Sequence, residues 1–129
     1  MTALDTNVLV RLVLEDDPDQ TARAEALVLS KSCFIPTTVL LELAWVLRTS
    51  GKMAQREVVA RLRLLIDLPT VSVEHEAALL AALDDADAGM DLADAFHRAC
   101  SPGSDRLATF DRHFASVAAT RPGLPVEAL

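Results

Sequence analysis

Short apolar runs alternate along the chain with longer segments in which apolar residues recur at helical spacing. The short runs end at polar residues or prolines, and this pattern indicates buried strands separated by amphipathic helices. Strands are predicted at residues 3–4, 33–35, 70–73 and 106–110, with a further edge strand at 125–127. Helices are predicted directly after residue 5 and at 19–30, 39–49, 55–66, 76–86, 91–100 and 111–117. This alternation predicts a single domain over residues 1–129, an α/β fold built as a three-layer α/β/α sandwich around a short, mainly parallel central sheet.

The opening segment places a carboxylate where the first strand ends. Ala3 and Leu4 run directly into Asp5, and an apolar-periodic helix begins immediately afterwards. In open α/β sheets ligands bind at the carboxyl ends of the strands, so Asp5 is a candidate site residue. Aspartate, threonine and asparagine also favour the N-cap position of a helix, and Asp5, Thr6 and Asn7 all fit that role. The segment alone leaves both interpretations open.

A second carboxylate lies inside the third predicted helix. Glu42 is the one charged residue in the segment 39–47, which is apolar almost all round and therefore predicts a largely buried helix. A carboxylate in such a position requires an ion pair, hydrogen bonds or a metal ion. An ion pair with Arg48 is the alternative to a site, but the rarity of buried glutamates favours the site.

Two aspartates share one face of the helix predicted at 91–100. Asp91 and Asp94 are three residues apart, which places them on neighbouring positions of the helix surface. Asp91 would also suit the positive end of the helix dipole, and Asp94 could form an ordinary surface pair with Arg98. Local pattern therefore leaves a structural role open for each of them.

The strand predicted at 106–110 repeats the arrangement of the opening segment, because it runs directly into Asp111. A cap on the following helical turn is again the alternative to a site. Thr109 precedes this aspartate by two residues and could orient a carboxylate or a water molecule. A threonine in a strand also needs no function.

Composition and charge sharpen the picture. A chain of 129 residues with 51% hydrophobic residues is typical of a folded globular domain. No apolar run approaches the ~18–20 residues of a membrane span, and no signal peptide is visible, so we expect a cytoplasmic protein without a membrane partner. Cys33 and Cys100 lack metal-ligand spacing, which favours reduced thiols. The net charge of −7 is unusual for a nucleic-acid-binding protein unless a cation neutralises part of it.

Four carboxylates would gather at one side of a parallel sheet, two at strand ends and two on helices. They are Asp5, Glu42, Asp111 and either Asp91 or Asp94. Like charges at short range repel one another unless a cation lies between them. Oxygen ligands without histidine or cysteine suit Mg²⁺ or Mn²⁺, and such an ion can activate water for attack on a phosphodiester. Arg11, Arg98 and Arg112 are candidates for holding backbone phosphates.

Four segments of the chain resemble the motifs of the PIN domain family, and more narrowly the toxin subunits (VapC) of VapBC toxin–antitoxin pairs. Residues 4–11 resemble the opening motif, Glu42 follows the second strand as the family's second acid does, and residues 89–97 and 108–114 resemble the third and fourth motifs. The resemblance covers essentially the whole chain in order. The first and fourth motifs are fairly specific, whereas a lone glutamate is not.

The resemblance implies a PIN-like fold and a site. It implies Asp5, Glu42, Asp94 and Asp111 as catalytic, metal-binding acids, supported by Asn7, Asp91 and Thr109. It leaves open whether Asp91 or Asp94 is the leading ligand, and the chain departs from the family pattern at His113. The implied protein is a Mg²⁺- or Mn²⁺-dependent endoribonuclease that cleaves RNA. It would be the homodimeric toxin of a type II toxin–antitoxin pair, neutralised in a hetero-oligomer by a VapB-like antitoxin.

Three other functions compete with this one. A PIN ribonuclease without an antitoxin and a catalytically inactive PIN binding module share its fold. A haloacid-dehalogenase-like phosphatase also uses a strand-end aspartate, but it needs a second aspartate where this chain has Asn7. It also needs a lysine late in the chain, and the only lysines here are Lys31 and Lys52. The phosphatase is therefore the remotest alternative.

Overall fold

The computed structural model describes all residues 1–129, which divide into two compact units, Met1–Glu76 and Ala77–Leu129. Each unit contains helices and strands, and every strand pair in either unit is parallel. The predicted α/β class with parallel pairing is therefore confirmed. That the two units form a single domain stays a prediction, and each unit is described by itself.

The first unit consists of a three-stranded parallel sheet and four helices. Its elements are β1 (Thr2–Ala3), α1 (Thr6–Leu14), α2 (Pro18–Ser30), β2 (Cys33–Ile35), α3 (Thr37–Thr49), α4 (Gln55–Ile66) and β3 (Val71–Val73). The strand order is β1-β2-β3, with Thr2 paired to Cys33 and Cys33 paired to Val71. Pairs of helices connect successive strands, as parallel neighbours require. All three carboxyl ends therefore share one edge, and β1 ends there just before Asp5.

Local signals explain where these helices begin. Asp17 caps α2 by accepting a hydrogen bond from the backbone N–H of Gln20, and Pro18 occupies the first helical position. Helix α3 begins two residues earlier than predicted, because Pro36 is its N-cap and no side chain caps it. The Pro36 carbonyl accepts the N–H groups of Val39 and Leu40 instead.

Helices α3 and α4 each bury one face at a helical spacing. The buried residues of α3 are Leu40, Leu43, Ala44 and Leu47, and those of α4 are Val58, Val59, Leu62, Leu65 and Ile66. The prediction that α3 is buried almost all round is wrong, because its other face is open to solvent. Glu42 and Trp45 lie on that exposed face, and Trp45 is 67% exposed.

The second unit contains three helices and one parallel strand pair. Its elements are α5 (Glu76–Asp87, beginning at the last residue of the first unit), α6 (Leu92–Ala99), β4 (Leu107–Thr109), α7 (Arg112–Ala118) and β5 (Val126–Ala128). Leu107 of β4 pairs with Val126 of β5, which confirms the predicted edge strand. None of the helices in the structure is both long enough and apolar enough to span a bilayer.

A buried arginine holds the C-terminal segment of this unit against α6. Arg98 is 6% exposed, and its Nη1 lies 3.4 Å from Oδ2 of Asp85. Its remaining donors reach backbone carbonyls, including those of Leu124 at 2.7 Å and Arg121 at 3.2 Å. The side chain of Arg121 closes the network with a 2.9 Å contact from Nε to Oδ1 of Asp85. A Cβ at Gly123 would lie 3.2 Å from Cζ of Arg98, so this position favours glycine.

Candidate active site

Asp5 lies at the carboxyl end of β1 and is itself the N-cap of α1. Its Oδ1 accepts a hydrogen bond from the backbone N–H of Thr6 at 2.8 Å. The helix begins at Thr6, so Asn7 is a helical residue and does not cap. Both Asp5 and Asn7 are exposed. The interpretation of Asp5 as a helix cap is thus confirmed. The capping hydrogen bond uses only one of its two carboxylate oxygens.

A hydroxyl group brings the two acids of the first unit together. The side chain of Thr6 is buried, and its Oγ1 donates a hydrogen bond to Oε1 of Glu42. Glu42 therefore lies beside the residue that follows Asp5 in the chain. The ion pair considered between Glu42 and Arg48 does not form, because Arg48 donates to Oε1 of Gln55 at 3.2 Å.

The exposure of Glu42 corrects the reason for which it is a candidate. Glu42 is exposed, so no burial penalty demands a metal ion or an ion pair there. Its candidacy rests instead on its contact with Thr6, next to the strand-end aspartate. Thr6 is the residue that the sequence pattern missed, because a threonine after Asp5 is explained equally well by helix capping.

The second unit brings three more of the predicted residues together. Asp91 is the N-cap of α6 and accepts a hydrogen bond from the backbone N–H of Asp94 at 3.2 Å. The pKa of Asp94 is raised above its ordinary value, first by burial and then by the charges of Asp91 and Asp111. His97 and His113 act in the opposite direction on the same pKa. Asp91 and Asp111 are therefore close enough for their charges to act on Asp94.

Asp111 ends β4 as Asp5 ends β1. It is the N-cap of α7, and its Oδ1 accepts the backbone N–H of Phe114 at 3.0 Å. The hydroxyl oxygen of Thr109 accepts the backbone N–H of Asp111, also at 3.0 Å. Thr109 thus fixes the main chain that carries this aspartate, a more local role than orienting a water molecule.

The predicted phosphate-holding arginines have three different environments. Arg98 is buried in the network with Asp85 and does not pair with Asp94, so its predicted role in binding phosphate is wrong. Arg11 lines a groove of about 440 Å³ together with Asn7, but its Nη1 already lies 2.9 Å from Oδ1 of Asp16. Arg112 follows Asp111 and is exposed. Arg112 is therefore the one best placed to meet a substrate without breaking an internal contact.

The donor set fits a hard divalent cation. Asp5, Asp91 and Asp111 each use Oδ1 for a cap and leave the second carboxylate oxygen without a hydrogen bond. Oxygen donors of this kind suit Mg²⁺ and Mn²⁺. Burial is the first cause of the raised pKa of Asp94, and a cation would relieve the second, the repulsion from Asp91 and Asp111. As they stand, no three His, Cys, Asp or Glu side chains lie close enough together to hold a metal ion.

Comparison with known proteins places these residues in a family context. A family model described as PIN domain matches residues 2–120, which covers all of the predicted motifs. PIN domains have an α/β/α fold and are generally nucleases, which agrees with the predicted fold class and with a nuclease as the coarse prediction of function. Against curated proteins the chain has no match.

Proposed function

This chain belongs to the PIN domain family, and we propose that it is a Mg²⁺- or Mn²⁺-dependent endoribonuclease that hydrolyses RNA phosphodiester bonds. The carboxylates described above carry the proposal. In the first unit the Thr6 hydroxyl donates a hydrogen bond to Glu42, which places Glu42 beside the residue that follows Asp5. In the second unit burial, followed by the charges of Asp91 and Asp111, raises the pKa of Asp94. The proposed ligands are all carboxylates, which matches the preference of these cations for oxygen.

The proposed metal ligands are Asp5, Glu42, Asp94 and Asp111. A bound divalent cation supplies an activated water molecule and stabilises negative charge on the phosphate. The residues of the chain hold the donors in place. Capping bonds fix Asp5 and Asp111, while the Thr6 hydroxyl fixes Glu42. Asp91, Asn7 and Thr109 are supporting residues, and Thr109 acts through the backbone of Asp111.

We extend the proposal to a cellular role as the toxin of a type II toxin–antitoxin pair in the cytoplasm. The resemblance of residues 4–11 and 108–114 to VapC toxins supports this role. The partners would be RNA as substrate, a VapB-like antitoxin as inhibitor and a second copy of the chain. A standalone ribonuclease is the alternative, and it would cleave RNA without arresting growth when the chain is expressed.

The test compares aspartate-to-asparagine variants at two proposed ligands, the helix cap Asp5 and the first-turn residue Asp94, with one at a cap outside the site. Asp5→Asn and Asp94→Asn are assayed for RNA cleavage with Mg²⁺, with Mn²⁺ and with a chelator. In both variants asparagine removes the charge that binds a metal, and at position 5 it retains an acceptor for the cap. We expect each variant to lose at least about 100-fold in rate, the lower range for a group that acts in the chemical step.

Asp17→Asn is the matched control, because Asp17 caps α2 through Gln20 and belongs to no proposed site. It should cleave RNA at the parental rate. Expression of the parent, but not of Asp94→Asn, should arrest growth. Cleavage that survives in both site variants, or in chelator, would contradict the site. Binding of RNA without cleavage in either metal would instead indicate an inactive PIN module.

A further inference from the structure

The chain contains few aromatic residues, four phenylalanines and one tryptophan, with no tyrosine. Phe96 and Phe114 are buried at 2% and 4% exposure, and Phe34 is half-buried. The other two are largely open to solvent, Trp45 at 67% and Phe110 at 83%. Single exposed apolar residues are ordinary on protein surfaces, but these two share a property: each lies beside a proposed site acid.

Trp45 lies one helical turn from Glu42. The two residues are three positions apart in α3 and both lie on its exposed face, so their side chains are surface neighbours. The buried face of α3 is complete without Trp45, since leucines and alanine supply it. An indole of this size left in water is typical of a residue that contacts a partner.

Phe110 lies directly between Thr109 and Asp111. The backbone is fixed on both sides of it, because the Thr109 carbonyl accepts the N–H of Leu129 at 2.8 Å and the Thr109 hydroxyl accepts the N–H of Asp111. The ring therefore extends into solvent from a rigid strand end. Arg112, the next residue but one, is also exposed.

The charge of the chain segment that follows Trp45 indicates what kind of partner this ring meets. Residues 48–63 contain five of the 12 basic residues of the chain and a single acidic one, although the protein as a whole carries a net charge of −7. Arg48 lies one turn beyond Trp45 and is held by Gln55. A two-fold dimer contact through this surface would bring the same basic segment against itself. A polyanion with flat, apolar bases satisfies both the basic charge of this segment and the exposed indole.

We propose that Trp45 and Phe110 are each a stacking platform for an unpaired base of single-stranded RNA. This inference rests on the proposed function and specifies how its substrate is held. Bases stack on aromatic side chains with little regard to sequence, and loss of one platform weakens binding about 5- to 150-fold. Because paired bases cannot stack on a protein ring, the platforms select single strands and loops over duplexes.

The fluorescence of Trp45 tests the first platform directly, because Trp45 is the only tryptophan. The full-length Asp94→Asn variant is titrated in chelator with oligouridylate, with oligoadenylate and with a duplex RNA of equal length. We expect both single strands to quench the emission and the duplex to quench it far less. Equal quenching by the duplex, or no quenching by either single strand, would overturn the proposal.

Substitutions test both platforms by the affinity for labelled oligouridylate and for the duplex in the same background. Trp45→Ala and Phe110→Ala should each bind the single strand 5- to 150-fold more weakly, with unchanged duplex affinity and melting temperature. Trp45→Phe and Phe110→Tyr should restore most of the affinity, because they restore a ring. Leu29→Ala is the control, since Leu29 is 75% exposed on α2 and should have no effect.

Unchanged single-strand affinity in both alanine variants would overturn the platforms. So would a dimer that dissociates in Trp45→Ala, since a second copy would then cover the indole. Failure of the proposed nuclease function can be distinguished from failure of the platform proposal, because these assays measure RNA binding in the absence of metal. If the parent cleaves no RNA but the platform variants bind single strands more weakly, the platforms stand and the nuclease does not. If the parent cleaves RNA while the platform variants bind single strands with parental affinity, the nuclease function stands and the platforms do not.

Discussion

Replacing Asp85 by alanine removes the carboxylate that neutralises a buried arginine. Asp85 is 8% exposed and contacts Arg98 at 3.4 Å and Arg121 at 2.9 Å. In the variant, Arg98 keeps its hydrogen bonds to the backbone carbonyls of Ala118, Arg121 and Leu124 but has no counter-charge. The same arginine is four residues after Asp94 on α6, so the network holds the helix that carries a proposed ligand.

The expected loss in the free energy of unfolding follows from the environments of Arg98 and Arg121. Removing one member of a buried ion pair costs about 3–5 kcal/mol. We expect the lower end, about 3 kcal/mol, because three carbonyls still accept from Arg98 and because Arg121, with a side chain 32% exposed, regains water. For 129 residues, an unfolding entropy of about 2.1 cal/mol/K per residue converts this loss to a melting temperature about 11 °C lower.

Thermal unfolding monitored by circular dichroism and urea titration measures the change. The matched control is Arg106→Ala, which removes the exposed contact between Arg106 and Glu127 at 2.7 Å. An exposed pair contributes about 0–1 kcal/mol, so the control should lose at most about 4 °C. An Asp85→Ala variant that is no less stable than Arg106→Ala would refute the view that this network stabilises the second unit.

Two further predictions concern the proposed site. The raised pKa of Asp94 means that the native state holds this proton more tightly than the unfolded state, whose value is near 3.8. Its contribution to stability therefore falls as pH rises from 3.8 through the raised pKa, and in chelator Asp94→Asn should be at least as stable as the parent at neutral pH. Urea denaturation across that pH range checks this, and a clear loss of stability in the variant would mean that Asp94 is structural. Thr6→Val removes the hydroxyl that holds Glu42 and should slow RNA cleavage about 10-fold, the lower end for a hydrogen bond to a charged group, because Glu42 is exposed. Thr6→Ser should keep the parental rate, and equal rates in parent and valine variant would show that the contact does not position Glu42.

Local signals account for the parts of the fold that sequence predicts well. Strand Cys33–Ile35 and helix Gln55–Ile66 lie where the pattern places them, because Pro36 and a clear apolar face mark them. Helix α3 shows the limit of such signals. Its sequence is apolar on all sides, and only tertiary packing decides which side is buried, so the exposure of Glu42 and Trp45 could not be read from hydrophobicity.

Long-range contacts account for what the sequence did not predict in the site. Thr6 and Glu42 are 36 residues apart, and Asp85 and Arg121 are also 36 apart. No spacing rule connects such pairs, whereas the helical spacing of Asp94 and Arg98 suggests a pair that does not form. Arg98 instead contacts Asp85, which has an acidic neighbour in Asp84 and no motif to distinguish it.

The two interpretations of the strand-end aspartates, helix cap and metal ligand, prove compatible. A carboxylate has two oxygens, and the caps of α1 and α7 use only Oδ1 of Asp5 and of Asp111. The cap holds the side chain in one orientation, which is the preorganisation that a metal ligand needs. Alanine at either position would remove both the cap, worth about 1 kcal/mol, and the charge. Asparagine removes the charge alone. If Asp5→Asn loses cleavage while the cap control Asp17→Asn does not, the carboxylate charge of Asp5 is needed for the reaction and not for the helix.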